Sequence, residues 1–276
     1  MSMEQQVTRH YGSAGIAARV LAALREAKGP DAPVTIDMLA PLDQFHGRGP
    51  LATQELVALL KPRAGERVLD IGSGIGGPAR WIAAKFDCHV TGVDLTREFC
   101  EAAEALNAAT GLVDRVRILN GSALALPVPD ATFDAAYSQN VIMNIADKPQ
   151  FYREAFRALR PGGRLALSNV CAGPAGEPYF PVPWATTAET SFLATPAEMQ
   201  ADLAAAGFEI GDFRDTTAIV AEAQRRNRQR LEQGTLPLVA ADIIHGERAR
   251  EMQRNSMRSV EEGRTAIIEA LVRKPE

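Results

Sequence analysis

Between Arg67 and Val170, short apolar runs alternate with stretches whose apolar residues recur at helical spacing, the pattern of successive βαβ units and a mostly parallel sheet. The runs predict strands near 67–71, 89–94, 116–120, 133–138 and 164–170, and the intervening periodic segments predict helices over Gly77–Lys85, Thr96–Leu106 and Gln150–Leu159. Pro161-Gly162-Gly163 predicts a turn into the fifth strand. Upstream, helical periodicity covers Gly15–Lys28 and Ala52–Leu60, separated by the Pro- and Gly-punctuated segment APLDQFHGRGPL. Downstream, 196–207 reads as a helix closed by Gly207, with strands from Phe208 and over Ala266–Val272 and a charged helical stretch over 218–262. Cys171–Ala185 holds four prolines and three aromatics, which excludes a regular helix or strand and predicts a loop draped over a site. The expected fold is α/β: a doubly wound, mostly parallel seven-stranded Rossmann-like sheet. Residues 1–50 would form an N-terminal lid, and 51–276 the main domain, with cap insertions near 172–195 and 218–262.

Composition narrows the class without naming it. The 276 residues are 46% hydrophobic and 23% charged, with a formal charge of −4, as in an ordinary soluble protein that does not bind nucleic acid. No apolar run approaches the roughly 18 residues of a membrane span, and MSMEQQVTRH lacks a signal-peptide core. Cys88, Cys100 and Cys171 are unpaired by number and spacing, which fits small buried hydrophobes and a reducing cytoplasm. The basic run Arg225–Arg230 reads as a solvated helix face. A small-molecule partner is expected, and a homodimer is left open.

The segment VLDIGSGIGG, Val68–Gly77, carries the most chemistry. It joins an apolar strand to a turn in which Gly72, Gly74 and Gly77 match G-x-G-x-x-G, and the following helix would aim free N–H groups at a nucleotide-like ligand. Asp94 ends the second strand 22 residues past Gly72, where a carboxylate can accept from both ribose hydroxyls or, alternatively, cap the next helix.

With Asp70-Ile71-Gly72-Ser73-Gly74, Asp94, Asn120-Gly121-Ser122-Ala123, Phe133-Asp134 and Leu159-Arg160-Pro161-Gly162-Gly163 in this order, the chain resembles the class I S-adenosylmethionine-dependent methyltransferases. Tyr11, His46-Gly47, the string SQNVIMNIADK and the late EEGR extend the likeness towards the sarcosine/dimethylglycine, phosphoethanolamine and sugar O-methyltransferase group. The resemblance implies S-adenosyl-L-methionine held by Asp70, Gly72, Ser73, Gly74, Asp94, Leu95, Ser122 and Ala123. Ser138 and Gln139 would face the amino-acid end, and Tyr11 would close over the methyl donor.

There are two departures from that pattern. Ser122 stands where the class often has an Asp on the adenine amino group, and Asn144 stands where many relatives carry a His able to take a proton.

Transfer from a sulfonium needs mainly positioning, and an amine acceptor needs no base, so an amine nitrogen is the expected target, with an O- or C-methyltransferase of a natural product as alternative. His46 is the first candidate base and His10 the second, while His89 and His245 read as structural or solvated. Met143, Asn144, Phe180, Trp184 and Phe45 would wall the acceptor site. No metal-ligand spacing is evident. A nicotinamide oxidoreductase and a non-catalytic cofactor-binding module are the competing readings.

Overall fold

The computed structural model describes residues 2–12, 14–44, 46, 48–232 and 240–276, and their side chains except those of 227–232 and 240–242. Phe45, Gly47 and the side chains of Arg228 and Arg230, all named above, lie outside the described residues.

Seven strands form one sheet: β1 (Arg67–Ile71), β2 (His89–Asp94), β3 (Val116–Asn120), β4 (Phe133–Gln139), β5 (Leu159–Ala172), β6 (Glu209–Asp215) and β7 (Thr265–Arg273), in the spatial order β3-β2-β1-β4-β5-β7-β6. β3, β2, β1, β4 and β5 pair in parallel, and β7 pairs antiparallel with both β5 and β6. From β1 the chain winds outward to β3, then returns to β4 on the other side of β1. The crevice past the carboxyl ends of β1 and β4 is therefore a topological switch point, where such sheets receive ligands.

The central strands are near-continuous apolar runs because helices cover both sheet faces. On one face Leu69, Phe133, Leu165 and Leu167 pack with Phe151, Tyr152 and Ala155 of α7 (Lys148–Ala158) and Met199 and Leu203 of α8 (Pro196–Ala205). On the other, Val68, Val90, Tyr137 and Ala166 pack with Leu56 and Leu60 of α4 (Pro50–Leu60), Ala79 and Ile82 of α5 (Gly77–Phe86) and Ala103 of α6 (Arg97–Ala109).

The segment before β1 does more than cover a site. In α2 (Ile16–Lys28), Ile16, Val20 and Leu24 recur every fourth residue and bury a stripe against Phe99 and Leu106 of α6 and Leu39 and Leu42 of α3 (Ile36–Asp43). In contrast, α1 (Met3–Tyr11), started by a Ser2/Gln5 capping box, buries no residue fully.

One expected boundary is corrected. β5 begins at Leu159 rather than 164, pairing first with Phe133. The Pro-Gly-Gly segment is an irregularity inside the strand, with Gly162 at φ +71°, before the ladder resumes at Arg164 opposite Ala135. The stretch 218–262 is not one helix. Its described parts are α9 (Thr217–Glu232), α10 (Ala240–His245) and α11 (Ala249–Glu261), with Gly246 at φ +57° between the last two. Arg225 and Arg226 both pair with Glu222 on the exposed face of α9. All three cysteines are free and buried, and burial pushes the Cys88 thiol up to about 11 and those of Cys100 and Cys171 up to about 12. No helix among the described residues is long and apolar enough to cross a membrane.

Candidate active site

The turn after β1 is shaped by backbone that only glycine adopts freely. Gly72 has φ +84°, and a Cβ there would lie 2.2 Å from Val141 Cγ2. The Gly72 and Ser73 amides both donate to the Val93 carbonyl, at 2.8 and 3.1 Å, which ties the turn to the end of β2. There Asp94 Oδ2 accepts from the Gly74 amide and Oδ1 from the Thr96 amide, each at 2.8 Å. Asp94 is not the N-cap of α6, which is Thr96; its carboxylate ties the glycine turn to the segment entering α6 and lines the crevice.

Asp70, buried at the end of β1, accepts from the Tyr137 hydroxyl at 2.6 Å. Burial pushes its carboxyl up to about 7, with the nearby Asp94 charge adding to the rise and the Tyr137 bond opposing it.

The crevice opens into a cavity of about 1390 Å³. It is walled by the expected Asp70, Gly72, Ser73, Gly74, Asp94, Leu95, Ser122, Ala123, Gln139, Met143, Asn144, Trp184, His46 and Tyr11. Two expected residues do not reach it. Ser138 is fully buried and its hydroxyl donates to the Ile71 carbonyl at 2.8 Å, so only its backbone remains for a ligand. Phe180 packs behind the wall against the buried cluster of Met143, Val182 and Trp184.

The reactive side chains form two groups. In the first, the Thr53 hydroxyl donates to Gln139 Oε1 at 3.3 Å and lies 3.1 Å from His46 Nε2. Thr53 thus links His46 to Gln139, the direction of its contact with Nε2 following the imidazole tautomer.

In the second group, Asn144 Nδ2 donates to the Tyr11 hydroxyl at 3.2 Å, and the Tyr11 ring lies 4.7 Å from His10 and 6.2 Å from His245. Burial raises the Tyr11 pKa well beyond the neutral range, so the hydroxyl keeps its proton. His10 Nε2 donates to the Pro183 carbonyl at 3.0 Å, and the ring is not part of the cavity wall.

His245, read from the sequence as structural or solvated, lines the cavity. Burial pushes its pKa down to about 4, helped by His10 and Arg248, so the ring is neutral at pH 7. No sequence signal marked it: α10 carries it in from a helical insertion between β6 and β7. Glu4, also on the wall, was missed because α1 carries it there from the N-terminal segment, and Thr53 because α4 sets its hydroxyl against His46 and Gln139. Among the described residues, no group of three or more His, Cys, Asp or Glu could hold a metal ion.

The wall has polar groups prepared for a ligand rather than for the protein. Ser73 Oγ and both amide atoms of Gln44 are buried without a hydrogen-bond partner in residues of the same wall as Asp94. Such groups are costly unless something occupies the crevice, and hydroxyl, amide and carboxylate together suit a ribose and an amino acid.

These features agree with the comparisons to known proteins. Residues 69–167 match the family model described as a methyltransferase domain. The chain is 38% identical over 122 residues to phosphoethanolamine N-methyltransferase 1 of Arabidopsis thaliana, covering 44% of this chain and 24% of that protein. It is 39% identical over 126 residues to 27-O-demethylrifamycin SV methyltransferase of Amycolatopsis mediterranei, covering 45% and 46%. The chain therefore spans from about a quarter to about half of the length of these relatives.

The fold of Haemonchus contortus phosphoethanolamine N-methyltransferase 2, solved with phosphomonomethylethanolamine and S-adenosylhomocysteine, superposes with a TM-score of 0.74 at 20% identity, over 100% of this chain and 61% of that one. Residues 69–167 are thus a methyltransferase domain, and the relatives that this part of the chain resembles are named as methyltransferases of small molecules.

An ammonium or sulfonium beside Asp70 favours its ionised form. Cofactor binding near pH 7 is therefore expected to release protons, since burial holds part of the Asp70 population protonated there and raises Asp94 in the same direction. By the same sign, affinity should fall as the pH drops from 8 to 6. Titration calorimetry in buffers of different ionisation enthalpy reads the proton count; no buffer dependence would show that Asp70 stays charged throughout.

Proposed function

We propose that this protein transfers the methyl group of S-adenosylmethionine to a hydroxyl oxygen of a bulky, mostly apolar small molecule. The observation that carries the reading is the cavity itself. At about 1390 Å³ it has room for the cofactor and a second ligand together, and beyond the crevice the mostly apolar wall is formed by Met143, Val170, Trp184, Val220, Met257 and Ile267. The relative named for 27-O-demethylrifamycin SV supports an acceptor of this kind. In this reading residues 1–50 and the insertions near 172–195 and 218–262 cap the site. The three reduced cysteines fit a cytoplasmic enzyme.

When bound, the sulfonium supplies an electrophilic methyl group and a neutral leaving group. The protein's own residues hold, orient and deprotonate. Asp70, Gly72, Ser73, Gly74, Asp94, Leu95, Ser122, Ala123, Gln139 and the backbone of Ser138 hold the cofactor; His46, through Thr53, orients Gln139. Tyr11, steadied by Asn144, closes the site against water. Attack by a neutral hydroxyl leaves a protonated ether oxygen, an acid strong enough to pass its proton to a neutral imidazole. His245 takes that proton at the cavity wall.

With the acceptor that takes up label, His245→Gln is expected to lower kcat about 10²-fold and leave KM nearly unchanged. The wild-type kcat should stay level from pH 8 to about 5 and fall as His245 protonates near 4. Full activity in the variant contradicts the role. Amine methylation is the second reading, favoured by the Tyr11 and Trp184 rings on the wall, which suit the cationic methylated amine that attack by a neutral amine forms. It needs no base and predicts an unaffected His245 variant, with label on nitrogen.

A further inference from the structure

Glu4 stands in contact with the residue whose side chain breaks the family pattern. Its Oε1 accepts from the Ser122 hydroxyl at 2.5 Å, and both residues line the cavity. We infer that the Glu4 carboxylate, carried on the N-terminal helix, accepts the amino group of the cofactor's adenine and selects a 6-aminopurine at this site. The inference rests on the cofactor reading above.

The topology places the base there. With the ribose hydroxyls on Asp94 at the end of β2 and the amino-acid end at β1 and β4, a nucleoside can extend only towards β3, whose end is followed by Gly121–Leu124. Ser122 is poorly placed to receive an amino group by itself. Its hydrogen goes to Glu4 and its oxygen already accepts from the Leu124 amide at 3.0 Å. The free capacity for an N–H donor lies on the carboxylate, which has about four acceptor positions.

The helix is built for this contact. Glu4, Val7 and Tyr11, three and four residues apart, share one face of α1, and with Met3 they line the cavity, although α1 buries no residue fully in the protein. A base against Glu4 and Val7 would supply the cover that this face lacks. Glu4 also sits in the first turn of α1, where the helix dipole favours a negative charge.

The test is titration calorimetry of the full chain with S-adenosylhomocysteine and with S-inosylhomocysteine, in which a carbonyl replaces the amino group. The wild type is expected to prefer the adenosyl ligand at least tenfold, because the carbonyl would face a carboxylate. Glu4→Ala should erase the preference, and Glu4→Gln, whose amide can donate to the carbonyl, should reduce or reverse it. Adding Ser122→Asp to Glu4→Ala should restore the preference from the other side of the contact.

An unchanged preference in Glu4→Ala overturns the proposal. Equal weakening of both ligands also overturns it, by reducing Glu4 to a brace of the helix. Failure of the wild type to bind S-adenosylhomocysteine at all would instead remove the cofactor reading beneath it.

Discussion

Arg80→Met is expected to destabilise the protein by about 3–5 kcal/mol, because it leaves a buried carboxylate without its counter-ion. The Arg80 side chain is fully buried; Nη2 donates to Asp43 Oδ2 at 2.9 Å and to the Ile75 carbonyl at 2.7 Å, and Nη1 to Asn107 Oδ1 at 2.9 Å. Burial already pushes the Asp43 carboxyl up, and Arg80 is the group holding it down. Urea unfolding measures the loss. Replacing Asp43 by leucine in the same chain should recover part of it, since two apolar groups leave no orphaned charge.

The pair also reaches the site: a Cβ on Gly77 would come within 2.4 Å of the Asp43 carbonyl oxygen, so α3 lies hard against the start of the nucleotide helix. Arg80→Met should therefore weaken cofactor binding as well. A stability loss below about 1 kcal/mol would show that the pair is solvated or replaceable.

Asp94→Ala is expected to lower affinity for S-adenosylhomocysteine at least 10²-fold. Two hydrogen bonds from ribose to a charged acceptor contribute on the order of 1.5–3 kcal/mol each, and 1.4 kcal/mol is tenfold in affinity. The same change strips the Gly74 and Thr96 amides of their acceptor, so the glycine turn loses its brace as the ligand loses its anchor. Asp94→Asn keeps one acceptor oxygen and should fall between. Calorimetry reads both; a loss below about threefold for the alanine variant would place the ribose elsewhere.

What the chain disclosed by itself divides along a physical line. β1 to β5 were readable because parallel strands covered on both faces must be apolar runs, and the Gly72–Gly77 turn because its backbone requires glycine at fixed intervals. Asp94 was readable as a carboxylate at the crevice because it ends the second apolar strand.

Side-chain direction was not. Phe180 in a proline-rich loop reads as a pocket wall, yet it packs against the buried cluster of Met143, Val182 and Trp184 and is not on the cavity wall. His245 and Glu4 gave no signal at all. They reach the site from an insertion and from the N-terminal helix, and the Glu4–Ser122 contact joins residues 118 positions apart. Only tertiary closure brings such pairs together.

The most direct test of the account incubates the purified protein with methyl-labelled S-adenosylmethionine and a fractionated pool of small metabolites, and locates the label by mass spectrometry. The account predicts S-adenosylhomocysteine formed in step with label on one hydroxyl oxygen of a bulky, mostly apolar compound. Binding of S-adenosylhomocysteine with no label transferred to any fraction would contradict it.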